Sequence, residues 1–106
     1  MVQQESINIV KQYIRNLKND GMPIKLAYLY GSYARNEATE DSDIDVLLVS
    51  DIFDTDDDYI LSKPWSPKYR VDFRIEPLAV GLKRFQTDDV SPILELVRQE
   101  GIEVQA

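Results

Sequence analysis

Two aspartates, Asp43 and Asp45, stand one residue apart at the head of an apolar run, and Gly31-Ser32 precedes them across the ten residues 33–42. In an extended chain each residue advances ~3.3 Å and side chains alternate, so both carboxylates leave one face of a strand about 7 Å apart and can converge on one point. Like charges this close either raise one another's pKa values or take up cations, and an all-oxygen donor set is what Mg²⁺ prefers. Gly31 and Ser32, at a strand-to-helix turn, add backbone N–H groups and a hydroxyl that receive phosphate oxygens. Together the two halves describe a metal-assisted site for a nucleoside triphosphate. At about 6% usage per residue type, this arrangement arises by chance in roughly one chain per thousand of this length.

A third carboxylate, Asp72, falls in residues 69–76, where Val71, Phe73 and Ile75 alternate with Arg70, Asp72, Arg74 and Glu76. That alternation predicts a strand with Asp72 on its polar face, sharing a patch of sheet with Asp43 and Asp45 if the two strands are neighbours. Arg70 and Arg74 flank Asp72 on the same face, either as its ion-pair partners or as ligands of a triphosphate.

The elements that must hold these residues follow from periodicity. Ile7, Val10, Ile14 and Leu17 draw one stripe along a helix over residues 6–20, which Gly21 and Pro23 close. Residues 24–30 and 43–49 read as strands. Ser32 is a helix N-cap candidate for a short stretch over residues 33–37. Residues 51–68, acidic and proline-bearing, read as a surface loop in which Trp65 is exposed to a partner; the acidic run itself reads as solvated. Residues 78–86 are ambiguous. Ile93, Leu94 and Val97 predict a helix over residues 89–100, stopped by Gly101 and followed by a short edge strand.

The 106 residues make one α/β or α+β domain, too short for a separate substrate module. The absence of cysteine and histidine excludes disulfides, thiolate or imidazole zinc sites and any serine-histidine triad. Catalysis is left to carboxylates, basic residues, hydroxyls and bound ions. A net charge of −7 without a basic cluster argues against nucleic acid and for a basic protein partner. No run is apolar for long enough to span a bilayer and no basic segment leads an apolar signal core, so the expected location is the cytoplasm, with no membrane association.

Over residues 30–49 the sequence resembles the nucleotidyltransferase superfamily of the DNA polymerase beta type, and within it the minimal nucleotidyltransferases. Gly31, Ser32, Ala34, Arg35, Ser42, Asp43 and Asp45 match that signature, and Asp72 matches its third carboxylate. Tyr33 departs from it, standing where a basic residue is usual, and so does Asn36, standing where glycine is usual. The resemblance implies a single nucleotidyltransferase domain over residues 1–106: a small mixed sheet with helices packed on one face, in the polymerase beta-like fold. It implies nucleotidyl transfer from a triphosphate, ATP, to a hydroxyl, with two Mg²⁺ ions. Asp43, Asp45 and Asp72 are then the catalytic and metal-holding residues, and Gly31, Ser32 and Arg35 bind the nucleotide, Arg35 by bracing the loop or reaching a phosphate. Chains this short resemble the antitoxins that neutralise a HEPN-type ribonuclease toxin by moving AMP onto a toxin tyrosine. Two other functions stay open: a binding module that neutralises its partner by occlusion, and transfer to a small molecule such as an aminoglycoside, for which a second subunit would have to lend the acceptor pocket.

Overall fold

Helix α1 (Gln3–Asn19) buries Val10, Ile14 and Leu17 of the predicted stripe along one side, with Tyr13 buried beside them and Ile7 only half-buried. Strands β1 (Leu26–Tyr30) and β2 (Ile44–Ser50) follow. The computed structural model describes residues 3–106, and among these a four-stranded mixed sheet runs in the order β3-β2-β1-β4. β1 is antiparallel to β2 and to the short β4 (Ile102–Glu103), while β2 and β3 (Ile75–Gly81) are parallel.

β2 explains the layering. Its residues Val46, Leu47, Leu48 and Val49 are apolar in succession, and all are fully buried. Such a run needs cover on both faces of the sheet. α1 supplies one cover, packing on Ala27, Leu29, Val46 and Leu48. α4 (Pro92–Glu100) contributes the other, setting Leu94 and Val97 against Tyr30, Leu47, Val49 and Val80. The mixed sheet expected from the sequence is therefore present, but helices lie on both of its faces rather than one.

Between β2 and β3 the acidic connection is partly ordered. It forms α2 (Asp58–Ser62) between two 3₁₀ turns, and its aspartates do local work. Asp57 Oδ1 caps α2 by accepting the Tyr59 N–H at 2.9 Å, and Asp54 accepts the Lys83 N–H at 3.0 Å. Trp65 is exposed as expected, with the Arg70 guanidinium 5.3 Å from its ring centre. The ambiguous residues divide between the end of β3 and helix α3 (Leu82–Thr87).

The third strand departs from its expected position. It begins at Ile75, so Asp72 sits in the turn before it instead of mid-strand. Residues 71–75 alternate as a strand would, yet the alternation faces the other way: Val71 and Phe73 are 50% and 85% exposed, whereas Asp72 and Arg74 turn inward and pair. What decides the strand is the partner β2, whose Ile44–Ser50 pairs residue for residue with Ile75–Gly81. Pro77 argues against a strand in the sequence, but β3 is at the sheet's edge, where a missing N–H can face solvent. Phe73→Ser should therefore change stability by no more than about 0.5 kcal/mol, whereas Ile75→Ala should cost about 2–5 kcal/mol, as read from urea unfolding of each variant.

Candidate active site

The end of the sheet where β1 stops and β2 starts collects the chemistry. Tyr30, the last residue of β1, pairs with Asp45 in the antiparallel ladder, and Asp45 pairs with Glu76 in the parallel one. Cross-strand partners put their side chains on one face, here the α4 face, so Tyr30, Asp45 and Glu76 form a row across three strands. Asp43, two residues before Asp45, lies just outside the strand and is exposed. Among the described residues, the carboxylates of Asp43, Asp45 and Glu76 form no ion pair, and no three carboxylates stand close enough to enclose an ion by themselves.

Electrostatics mark this row as strained. Asp45 is pushed up to about 6, first by burial, then by the charges of Glu76 and Asp43, with Arg35 only partly offsetting them. The Tyr30 hydroxyl is pushed up to about 12 by burial and by the same carboxylates, Asp45 and Glu76. Both shifts report an unscreened negative patch. Packing alone gives no reason to assemble it, and a cation relieves it.

Gly31 forms the opposite wall. It takes φ +78, and a Cβ there would overlap Asp45 Oδ2, so glycine is required both by the backbone and by the approach of the carboxylate. The short helix expected after it is replaced by consecutive turns over residues 31–36, closed by Arg35 N–H to Gly31 O at 3.1 Å and Glu37 N–H to Ser32 O at 2.9 Å. Asn36 ends them with φ +60, the left-handed conformation in which asparagine substitutes best for glycine. Ser32 is therefore part of a turn, not the cap of a helix. Its half-buried hydroxyl makes no hydrogen bond among the described residues, which leaves it available to a phosphate.

Three further residues are placed differently from what their types led us to expect. Tyr33 turns into the α1-side core at 1% exposure, so the position that is basic in the resembled group carries packing here instead of charge. Arg35 braces the turn: its guanidinium pairs with Glu37 at 3.4 Å and with Glu100 at 2.9 Å. Asp72 receives Arg74 through both oxygens, at 3.0 Å and 2.7 Å, and the Arg74 N–H at 2.9 Å, which holds its pKa below the usual range. Of the two roles open to Arg74, the structure shows the ion pair. The sheet brings Glu76 to Asp45, and sequence reading passed Glu76 over. The signal was available in the apolar run Leu78, Ala79 and Val80, which carries the strand on beyond residue 76 and so keeps Glu76 inside it.

Comparison with known proteins bears on the family and the fold. The model of the nucleotidyltransferase domain family matches residues 7–104. A curated relative, a putative protein adenylyltransferase of Methanocaldococcus jannaschii, is 43% identical over 53 residues, which are 49% of this chain and 50% of that one. The match thus spans about half the length of the relative. Two solved structures share the fold. One, a putative nucleotidyltransferase from Sulfolobus solfataricus, has a TM-score of 0.68 at 15% identity, over 95% of this chain and 80% of that one. The other, a mutant of the MntA-HpeT toxin–antitoxin, has a TM-score of 0.60 at 21% identity, over 94% and 73%. With the family model running through nearly the whole chain, from α1 to the residue after β4, the chain belongs to the nucleotidyltransferase domain family.

Proposed function

We propose that the chain is a Mg²⁺-dependent adenylyltransferase that moves AMP from ATP to a hydroxyl of a protein partner, a tyrosine of a HEPN-type toxin, and so acts as an antitoxin. The observation that carries the reading is the set of carboxylates without an ion pair among the described residues, Asp43, Asp45 and Glu76, with Asp45 lying against Gly31, the neighbour of Ser32. The relative from Methanocaldococcus jannaschii supports the adenylyl group and the protein acceptor, and the toxin–antitoxin structure supports the partner class.

The donor set fits the metal. It is all oxygen, it is anionic beyond what the protein neutralises, and it is incomplete without phosphate oxygens, which is how Mg²⁺ is usually held beside a nucleotide. Asp43 and Asp45 would hold the ions, which when bound neutralise the charge that develops on the transferring phosphate. Ser32 receives a β or γ phosphate oxygen through its hydroxyl, and Gly31, whose N–H is held by Glu100 at 3.2 Å, lets the phosphates approach the backbone closely because it has no side chain. The acceptor oxygen attacks the α-phosphorus, the bond to the bridging oxygen breaks, pyrophosphate leaves, and the acceptor proton passes to a carboxylate of the row. Asp72 was the third carboxylate expected from the sequence. With both its oxygens on Arg74 it is poorly placed for that role, and we assign the role to Glu76, the register partner of Asp45.

Incubation with labelled ATP, Mg²⁺ and the product of a neighbouring toxin-type gene should label that product. Absence of label would count against transfer, and the Asp43→Asn, Asp45→Asn double variant separates catalysis from occlusion, because occlusion survives it. Glu76→Gln should lower transfer at least about 100-fold, and Asp72→Asn less than about 10-fold, in the same assay. Equal losses would return the role to Asp72.

The row also sets a pH dependence. Because the folded pKa of Asp45 lies above its unfolded value of about 4, this group's contribution to stability is present below about pH 4 and is lost as the pH rises through about 6. Asp45→Asn should therefore unfold at higher urea than wild type at pH 7 while losing transfer. Millimolar Mg²⁺ should narrow that difference by stabilising the wild type.

A further inference from the structure

Glu100 is the last residue of α4, where the negative end of the helix dipole disfavours a carboxylate. It is nevertheless held there firmly. Gly101 closes the helix with its N–H on Val97 O at 2.7 Å, and a Cβ at Gly101 would come within 2.5 Å of that same oxygen, so the chain can turn sharply just after Glu100. The Glu100 side chain is 20% exposed. A single oxygen, Oε1, accepts the Gly31 N–H at 3.2 Å and the Arg35 guanidinium at 2.9 Å. Those two donors sit at the start of the turn that faces the carboxylate row and four residues along it.

We propose that Glu100 is a positioning residue of the transfer site: through one carboxylate oxygen it clamps the Gly31–Arg35 turn and fixes the distance between the phosphate-receiving groups and Asp45. The inference rests on the nucleotidyl-transfer reading above and adds to it a residue that touches neither nucleotide nor acceptor. The clamp has a counterpart on the other face of the sheet. Gln3 at the start of α1 donates its side-chain amide to Tyr33 O at 3.0 Å and Ala34 O at 3.1 Å, so the turn is gripped from both helical layers. The two grips differ in what they set. Gln3 holds the far side of the turn, where Tyr33 is packed in the core. Glu100 holds Gly31, whose Cα is against the Asp45 carboxylate. Loss of Glu100 leaves a left-handed glycine tethered on one side only, free to swing away from Asp45, while Leu94 and Val97 keep α4 docked. Phosphates gripped by the turn are gripped alike before and during transfer, so the loss falls on KM more than on kcat.

Glutamine separates geometry from charge, since its amide oxygen accepts the same two hydrogen bonds. In nucleotide-free protein, hydrogen exchange of the Gly31 amide should accelerate at least about 10-fold in Glu100→Ala and stay within about 2-fold of wild type in Glu100→Gln. With ATP and Mg²⁺, KM for ATP should rise about 10-fold in Glu100→Ala, with kcat within about 3-fold, and Glu100→Gln should restore it. Unchanged Gly31 exchange in Glu100→Ala overturns the clamp whatever the nucleotide does. Faster exchange with unchanged KM overturns the positioning role, as does a Glu100→Gln as impaired as Glu100→Ala. A wild type that neither binds nor uses ATP sinks the transferase reading and this role with it, whereas a wild type that transfers with a KM indifferent to Glu100 sinks only this one.

Discussion

Strand β2 is the constraint from which the rest follows. Its run from Val46 to Val49 is fully buried, and burying a side chain of this kind stabilises by about 1.5–3 kcal/mol, so the strand cannot shift without exposing a face. A slip of one residue would exchange Leu47 and Val49 for Val46 and Leu48 on the α4 side. It would also carry Asp45 to the α1 side, into the core. The same force that fixes the hydrophobic layers therefore fixes which way the carboxylate points. Function is attached to the strongest packing in the molecule.

That attachment has a cost which the fold tolerates locally. Asp45 is half-buried between Glu76 and Asp43, with no hydrogen-bond donor to it among the described residues, and Gly31 gives up a side chain to let it in. Three aspartates elsewhere find a cation: Asp72 with Arg74, Asp88 with Arg84, and Asp20 with Lys68 and also the Tyr69 hydroxyl. Asp41, Asp51, Asp56, Asp58 and Asp89 also lack a cationic partner among the described residues, but they are exposed to water; Asp45 is half-buried beside two further carboxylates, and such a group is completed by something else.

Asp43, Asp45, Gly31 and Ser32 were legible in the sequence because covalent spacing alone decides their relation: two residues along a strand, one turn before it. Asn36 was legible for the same reason, its left-handed tolerance being a property of the residue. Glu76 and Glu100 were not. An alternation such as that of 71–75 is common to a strand and to a turn folded with its charges inward, and only the register with β2 tells them apart. Tyr33 read as a lost phosphate contact, but the core has taken it, which a pattern of one residue cannot announce. The second helical layer is written only in β2's unbroken apolar run, which has two faces to hide, and not in the periodicity of any one helix.

The Gly31–Arg35 turn is joined to Gln3 across 30 residues and to Glu100 across 69. A chain that pairs β1 with β2 early still has no finished turn until α4 has docked. Any competence the site possesses is thus withheld until both helical layers, α1 and α4, have closed on the sheet, so the turn serves as a record that the two layers have met.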